Sequence, residues 1–321
     1  MKTILVLHTG GTISMQKATG GRVIPSEKNP LREQEALFHG KVHLIVEEIF
    51  NLPSPHITLE HMLQIKNRIQ QAYQENVDGV VITHGTDTLE ETAYFLDITL
   101  KKRIPIVLTG AMRSSNEIGS DGLYNFISAI WTACDNESYN KGVLVVMNDE
   151  IHTARFVTKT HTTNVATFRT PTFGPIGMIA KEQAFFAKEV LPQTTCEIQT
   201  VTGNVYVIKG YAGMNGQLFD LLNTPVTDGI VIEALGAGNL PPATLSAIER
   251  LIKNQIPVVL VSRCSNGVAE DIYDYEGGGV GLKEMGVIFA RGLNGQKARI
   301  RLIVGLNSHK TAAELREFLS Q

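Results

Sequence analysis

The chain has 321 residues, 43% hydrophobic and 19% charged, which is enough apolar material for two cores of ordinary size and too much for a disordered chain. Its formal net charge is -3, with Lys and Arg scattered along the sequence, which excludes a dedicated polyanion-binding surface; no nucleic-acid partner is expected. The three cysteines, Cys134, Cys196 and Cys264, are too few and too far apart for a disulfide framework, and none forms a C-x-x-C pair, so a reducing compartment fits.

The first apolar run, Lys2–His8, stops at His8 and carries no small-residue cleavage pattern. It predicts a first strand rather than a secretory leader. No apolar stretch approaches the roughly 20 residues that span a bilayer, so no membrane contact and a cytoplasmic location are expected. Similar runs recur at 79–82, 104–108 and 142–147, each ending in a Gly-rich or polar turn: TGGT, THGTDT, TGAMR and NDE follow in order. Continuous apolar runs of this length predict strands buried on both faces, as in a parallel sheet. Helical spacing appears over 59–75, where Leu59, Met62, Leu63, Ile65, Ile69 and Ala72 are apolar, and again over Gly122–Cys134. The pattern is α/β, a larger N-terminal doubly wound, mostly parallel sheet domain.

The rhythm weakens near 187–203, around Pro192. This predicts a domain at 1–187, a linker at 188–203 and a smaller C-terminal α/β domain at 204–321. In that second part strands are expected at 205–208, 229–232 and 258–261. Helices are expected at 216–222, 241–254 (with Pro241 or Pro242 in the first turn) and 311–319. EGGGVG at 276–281 reads as a local glycine cluster.

Ligands of open parallel sheets bind beyond the carboxyl ends of the strands, so the turns there are the candidate site. Three of them carry Thr beside Gly, and glycine allows close backbone approach with bare N–H groups suited to an oxyanion. In the second turn, Thr88 with Glu91 matches a helix capping box, and Asp87 and Glu90 favour a helix N-terminus. Capping leaves Thr86 and Gly85 unexplained. The nine histidines form no H-E-x-x-H, and in the sequence His152 and His161 have no Cys or acidic residue at metal-ligand spacing, so no metal is expected. No phosphate loop, dinucleotide fingerprint or G-x-S-x-G elbow is present, and no cofactor is expected.

HTGGTI (8–13) and THGTDTLEET (83–92), with TGAMR (109–113) and GAGN (236–239), resemble the signature segments of bacterial-type L-asparaginases, of the cytoplasmic Bacillus-like kind. The resemblance covers almost the whole chain. It implies an amidohydrolase acting on L-asparagine through an acyl-enzyme. Thr12 would be the nucleophile, and Thr86, Asp87 and Lys159 would form a second constellation around the hydrolytic water. It further implies substrate contacts from Gly11, Ser54, Pro55, Gly85, Ala111 and Asn239, with Gly11 and Thr86 amides at the oxyanion. A threonine hydroxyl needs a base, and a lysine can serve only when neutral. Asp87 would pull Lys159 toward its charged form, so the set would relay protons.

The family's usual tyrosine on the loop after the first threonine is missing from 14–26, where Val23 takes its place. The resemblance offers Tyr273, with Tyr275 in reserve, as a tyrosine from the second domain. A homodimer or homotetramer is implied, with Tyr273 and Asn239 reaching a neighbour's pocket. Pro55 and His56 replace a usual polar pair, which leaves room for weak glutaminase activity. Two other readings remain at this level: an ammonia-releasing amidotransferase subunit and a non-catalytic asparagine sensor.

Overall fold

Four fully buried residues in succession, Ile4 to Leu7, make Lys2–His8 a strand with both faces covered, β1. The structure is a computed structural model and describes residues 1–18, 20, 22–25, 31, 34–101 and 103–321. The chain falls into two units, Met1–Thr195 and Cys196–Gln321, with no helix or strand between Phe186 and Val205.

In the first unit a short hairpin, β2 (Met15–Lys17) and β3 (Val23–Pro25), follows β1. Then come β4 (Val42–Glu48), α1 (Leu59–Ala72), β5 (Gly79–Thr83), α2 (Leu89–Thr99), β6 (Ile106–Thr109), α3 (Gly122–Cys134) and β7 (Val143–Met147). The unit closes with β8 (Glu150–Thr153), β9 (Thr158–Lys159), β10 (Phe168–Arg169), β11 (Gly177–Ala180) and β12 (Gln183–Phe186). Eight strands form one sheet in the order β12-β11-β8-β7-β6-β5-β1-β4. The pairs from β4 to β7 are parallel; those among β7, β8, β11 and β12 are antiparallel. The α1 helix buries Met62, Ile65, Ile69 and Ala72, the three-to-four spacing of one face. One core cluster runs from Ile4 and Val6 through Val81 and Val107 to Phe126 and Ile130 on α3.

The second unit holds β13 (Val205–Lys209), α4 (Gln217–Leu222), β14 (Gly229–Ala234), α5 (Leu245–Lys253), β15 (Val258–Ser262), α6 (Gly279–Met285), β16 (Ile288–Phe289), α7 (Gly295–Leu306) and α8 (Ala312–Ser320). Its four strands pair in chain order, all parallel. Ile230, Ile232, Ile248, Leu251 and Leu260 sit in its own core.

The expected strand at 104–108 starts later, at Ile106, because Pro105 has no N–H to continue a ladder. The expected helix at 241–254 opens with a 3-10 turn, Pro242–Thr244, before α5. The glycine cluster at 276–281 is more than a loop, since Gly279 starts α6. No helix was expected over α7. Its inward face includes Lys297 and Arg301, each 1% exposed, and these charges hide the apolar period.

Candidate active site

The winding of the large sheet reverses at β1 and β5: the chain steps from β1 outward to β4 on one side and from β5 to β6 on the other. Such a reversal opens a crevice beyond the carboxyl ends of the two central strands. There the strand ends are tied together. Thr9 donates its amide (3.1 Å) and its hydroxyl (2.9 Å) to the Thr83 carbonyl. The Thr83 hydroxyl lies 2.7 Å from His8 Nδ1, and the His84 amide donates to the Thr109 carbonyl at 2.8 Å.

Beyond β1, Gly11 has φ of 83°, in the region that favours glycine. A Cβ on Gly11 would stand 2.3 Å from Gly85 Cα, and one on Gly85 would stand 2.7 Å from Ser54 Cβ. Bare backbone thus lets the loops after β1, β4 and β5 meet. They enclose a cavity of about 460 Å³ lined by Thr12, Ser54, Pro55, Thr86, Asp87 and Lys159, with Gly11 and Gly85 in its wall.

Lys159 Nζ donates to Thr86 Oγ1 at 3.0 Å and to Asp87 Oδ1 at 2.6 Å. Thr86 is buried, whereas the Asp87 carboxylate is 58% exposed, so this ion pair faces solvent on one side. The Asp87 amide donates to Ser54 Oγ at 3.1 Å. Thr88 departs from the expected capping box: it makes no side-chain cap bond to α2. Its hydroxyl donates instead to the Ser54 carbonyl at 2.8 Å. That bond locks the Ser54 turn onto the second threonine loop. Among the described residues, the Thr12 hydroxyl and the amides of Gly11 and Thr86 have no hydrogen-bond partner.

His84 is fully buried, with Nδ1 2.7 Å from the Gly85 carbonyl and Nε2 2.9 Å from the Thr92 hydroxyl. Burial pushes its pKa down to about 4, against a smaller upward pull from the Gly85 carbonyl. The neutral ring is a strut between the second loop and α2.

The third loop reaches the cavity one residue beyond the expected one. Ala111 is fully buried and absent from the cavity lining, while Met112, Ser114 and Glu117 line it. The Asp121 carboxylate accepts from the amides of Met112 and Arg113, which sets this loop's path. The Arg113 side chain turns away to the Gly119 carbonyl. Thr162 and Met15 also line the cavity. Sequence patterns missed Met15, Ser114, Glu117 and Thr162 because none sits in a recognisable motif, and Met112 was passed over within TGAMR; their positions in or just past HTGGTI, TGAMR and Lys159 were the available signal. Val23 lines the cavity, and no tyrosine does among the described residues. Of the loop at 14–26, residues 19, 21 and 26 lie outside the described residues.

Tyr273 and Tyr275 belong to the second unit, in the irregular stretch before α6, 44% and 56% exposed with ring centroids 5.7 Å apart. Asn239 also belongs to the second unit, before α5, bridged to Leu235, and among the described residues its side-chain oxygen accepts no hydrogen bond. Among the described residues no group of three His, Cys, Asp or Glu could hold a metal ion, and no helix is long and apolar enough to cross a membrane.

Two family models match the chain: "Asparaginase, N-terminal" over residues 3–191 and "Glutaminase/Asparaginase C-terminal domain" over 204–319. The chain is 34% identical to the L-asparaginase of Bacillus licheniformis, over 96% of this chain and 97% of that one. It is 39% identical to a probable L-asparaginase of Deinococcus radiodurans, over 99% and 97%. The crystal structure of a probable cytoplasmic L-asparaginase from Campylobacter jejuni superposes with a TM-score of 0.88 at 32% identity, covering 99% of each chain.

Proposed function

This chain belongs to the bacterial L-asparaginase family, and from that membership we infer that it hydrolyses L-asparagine to L-aspartate and ammonia by acyl transfer through threonine. The observation that carries this reading is the convergence of Thr12 and Thr86 on one cavity, with Lys159 Nζ 3.0 Å from the Thr86 hydroxyl. The amidotransferase and sensor readings have no support among the relatives, which are described as L-asparaginases.

In the proposed mechanism the Thr12 oxygen attacks the side-chain amide carbon. The Gly11 and Thr86 amides, which have no other acceptor among the described residues, stabilise the tetrahedral oxyanion. The C–N bond breaks, and the amide nitrogen leaves as ammonia with the proton from the Thr12 hydroxyl. Water held at Thr86 then attacks the β-aspartyl ester. One of its protons restores Thr12, and its oxygen leaves in the new carboxyl group. Lys159 and Asp87 relay protons through Thr86. Ser54 Oγ accepts from the Asp87 amide, so its own proton is left for the substrate α-carboxylate. The exposed side of Asp87 suits the α-amino group.

No cofactor enters this scheme. A site fitted to asparagine rejects one extra methylene by only roughly 10–200-fold, so weak glutaminase activity is expected. The proposal includes a cytoplasmic homodimer or homotetramer. In it, Tyr273 and Asn239 serve a neighbour's site, with Tyr273 assisting the Thr12 hydroxyl.

The test is purified protein with L-asparagine alone. Continuous, equimolar release of ammonia and aspartate is expected. Binding without turnover would favour a sensor, and a requirement for charged tRNA would favour an amidotransferase. Tyr273→Phe should slow acylation; an unchanged rate removes that tyrosine from the scheme.

A further inference from the structure

We propose that Glu90 is a positioning residue for the hydrolysis, holding the backbone of Lys159 so that its ammonium meets Thr86 and Asp87. This rests on the role of Lys159 given above.

The strand that carries Lys159 is poorly held by its own ladder. Among the described residues β9 is two residues long and pairs with β10, through Phe168 opposite Lys159 and Arg169 opposite Thr158, and the Thr160 amide continues the ladder by one bond to the Thr167 carbonyl. A ladder this short is not stable by itself, and its hydrogen bonds fix register without fixing distance to α2. Glu90 supplies that tie. Its Oε1 accepts from Thr158 Oγ1 at 3.0 Å and from the Lys159 amide at 3.2 Å. It is the second residue of α2, only 4% exposed. A buried carboxylate is tolerated only where hydrogen bonds satisfy it, so donor positions around it are closely specified.

Thr86 and Asp87 lie in the turn that leads into the same helix. One element therefore carries both partners of the ammonium and the anchor for the backbone from which the ammonium hangs. Lysine has a flexible four-carbon stem, so its head group is placed only as well as its base. A misplacement of about 1 Å at a reacting group can cost on the order of 100-fold in rate. Glu90 does not line the cavity, so its effect passes through Lys159 rather than through substrate.

The experiment measures single-turnover rate and KM for L-asparagine in Glu90→Ala, Thr158→Val and Thr158→Ser, each alone and combined with Lys159→Met. Glu90→Ala is expected to slow turnover roughly 10- to 100-fold, with KM within about twofold of wild type. Thr158→Val should show a smaller loss of the same kind, and Thr158→Ser, which keeps the donor, should restore the rate. In the Lys159→Met background none of the three should slow turnover further, because the group they position is gone. Losses that multiply in that background would overturn the proposal, as would a wild-type rate in Glu90→Ala. If Glu90→Ala does not fold, the Val and Ser pair at Thr158 decides by the same criteria. A wild-type rate in Lys159→Met alone would instead overturn the role of Lys159, and the proposal with it.

Discussion

Gly11 packs against Gly85 so closely that a single added carbon on the first would stand 2.3 Å from the α-carbon of the second. Gly11 and Gly85 lie 74 positions apart in sequence, and this contact is what makes the two threonine loops one site. It explains why glycine, and not merely a turn, is required before each threonine.

Gly11→Ala is therefore expected to separate the loops. The added Cβ strikes backbone, and φ of 83° already disfavours any side chain. A stability loss of about 2 kcal/mol or more is expected, with turnover falling on the order of 100-fold. Denaturant unfolding and ammonia release measure the two. A variant with wild-type stability and rate would show that the loops tolerate separation.

Gly281→Ala is the matching control. Gly281 lies in α6 with open space around its missing Cβ, and its φ is not positive. Stability should rise by about 0.5–1 kcal/mol through reduced freedom of the unfolded chain, with unchanged activity. A loss of stability in urea unfolding would contradict this.

How much of this was legible in sequence depends on what signalled each part. The β1 and β5 runs were readable because both faces are buried, and the Thr-Gly turns followed from them. Thr88 was misread because the capping pattern is local, whereas the Ser54 carbonyl that takes its hydroxyl lies 34 residues away. Lys159 had no legible signal of its own: its contacts with Thr86 and Asp87 span 73 and 72 residues, and only the resemblance pointed to it. Glu90 read as a helix-terminus charge, and its bonds to Thr158 and Lys159 needed the fold.

Ser54→Ala should act mainly on binding. It removes the acceptor for the Asp87 amide and the proposed donor to the substrate α-carboxylate. A hydrogen bond to a charged group contributes about 1.5–3 kcal/mol, so KM should rise roughly 10- to 100-fold, with a smaller fall in kcat. Steady-state kinetics decides; a fall in kcat at constant KM would move Ser54 from binding to catalysis.

His84 gives stability a pH window. Its folded pKa of about 4 lies below the ordinary 6.5, so between these values the unfolded chain binds a proton that the fold excludes. Its contribution is complete above about 6.5 and is lost progressively as pH falls to about 4, a change on the order of 3 kcal/mol. Urea unfolding across this range should show that slope in wild type and a shallower one in His84→Gln. Equal slopes would mean that the histidine is protonated in the fold.

The most direct measurement compares ammonia release from L-asparagine by the purified wild-type chain, Thr12→Ala and Thr86→Val, with thermal unfolding run on each. Two hydroxyls acting on one amide predict continuous release by wild type and near-complete loss in both variants, with unfolding midpoints close to wild type. Release at the wild-type rate from either variant would contradict the two-threonine mechanism.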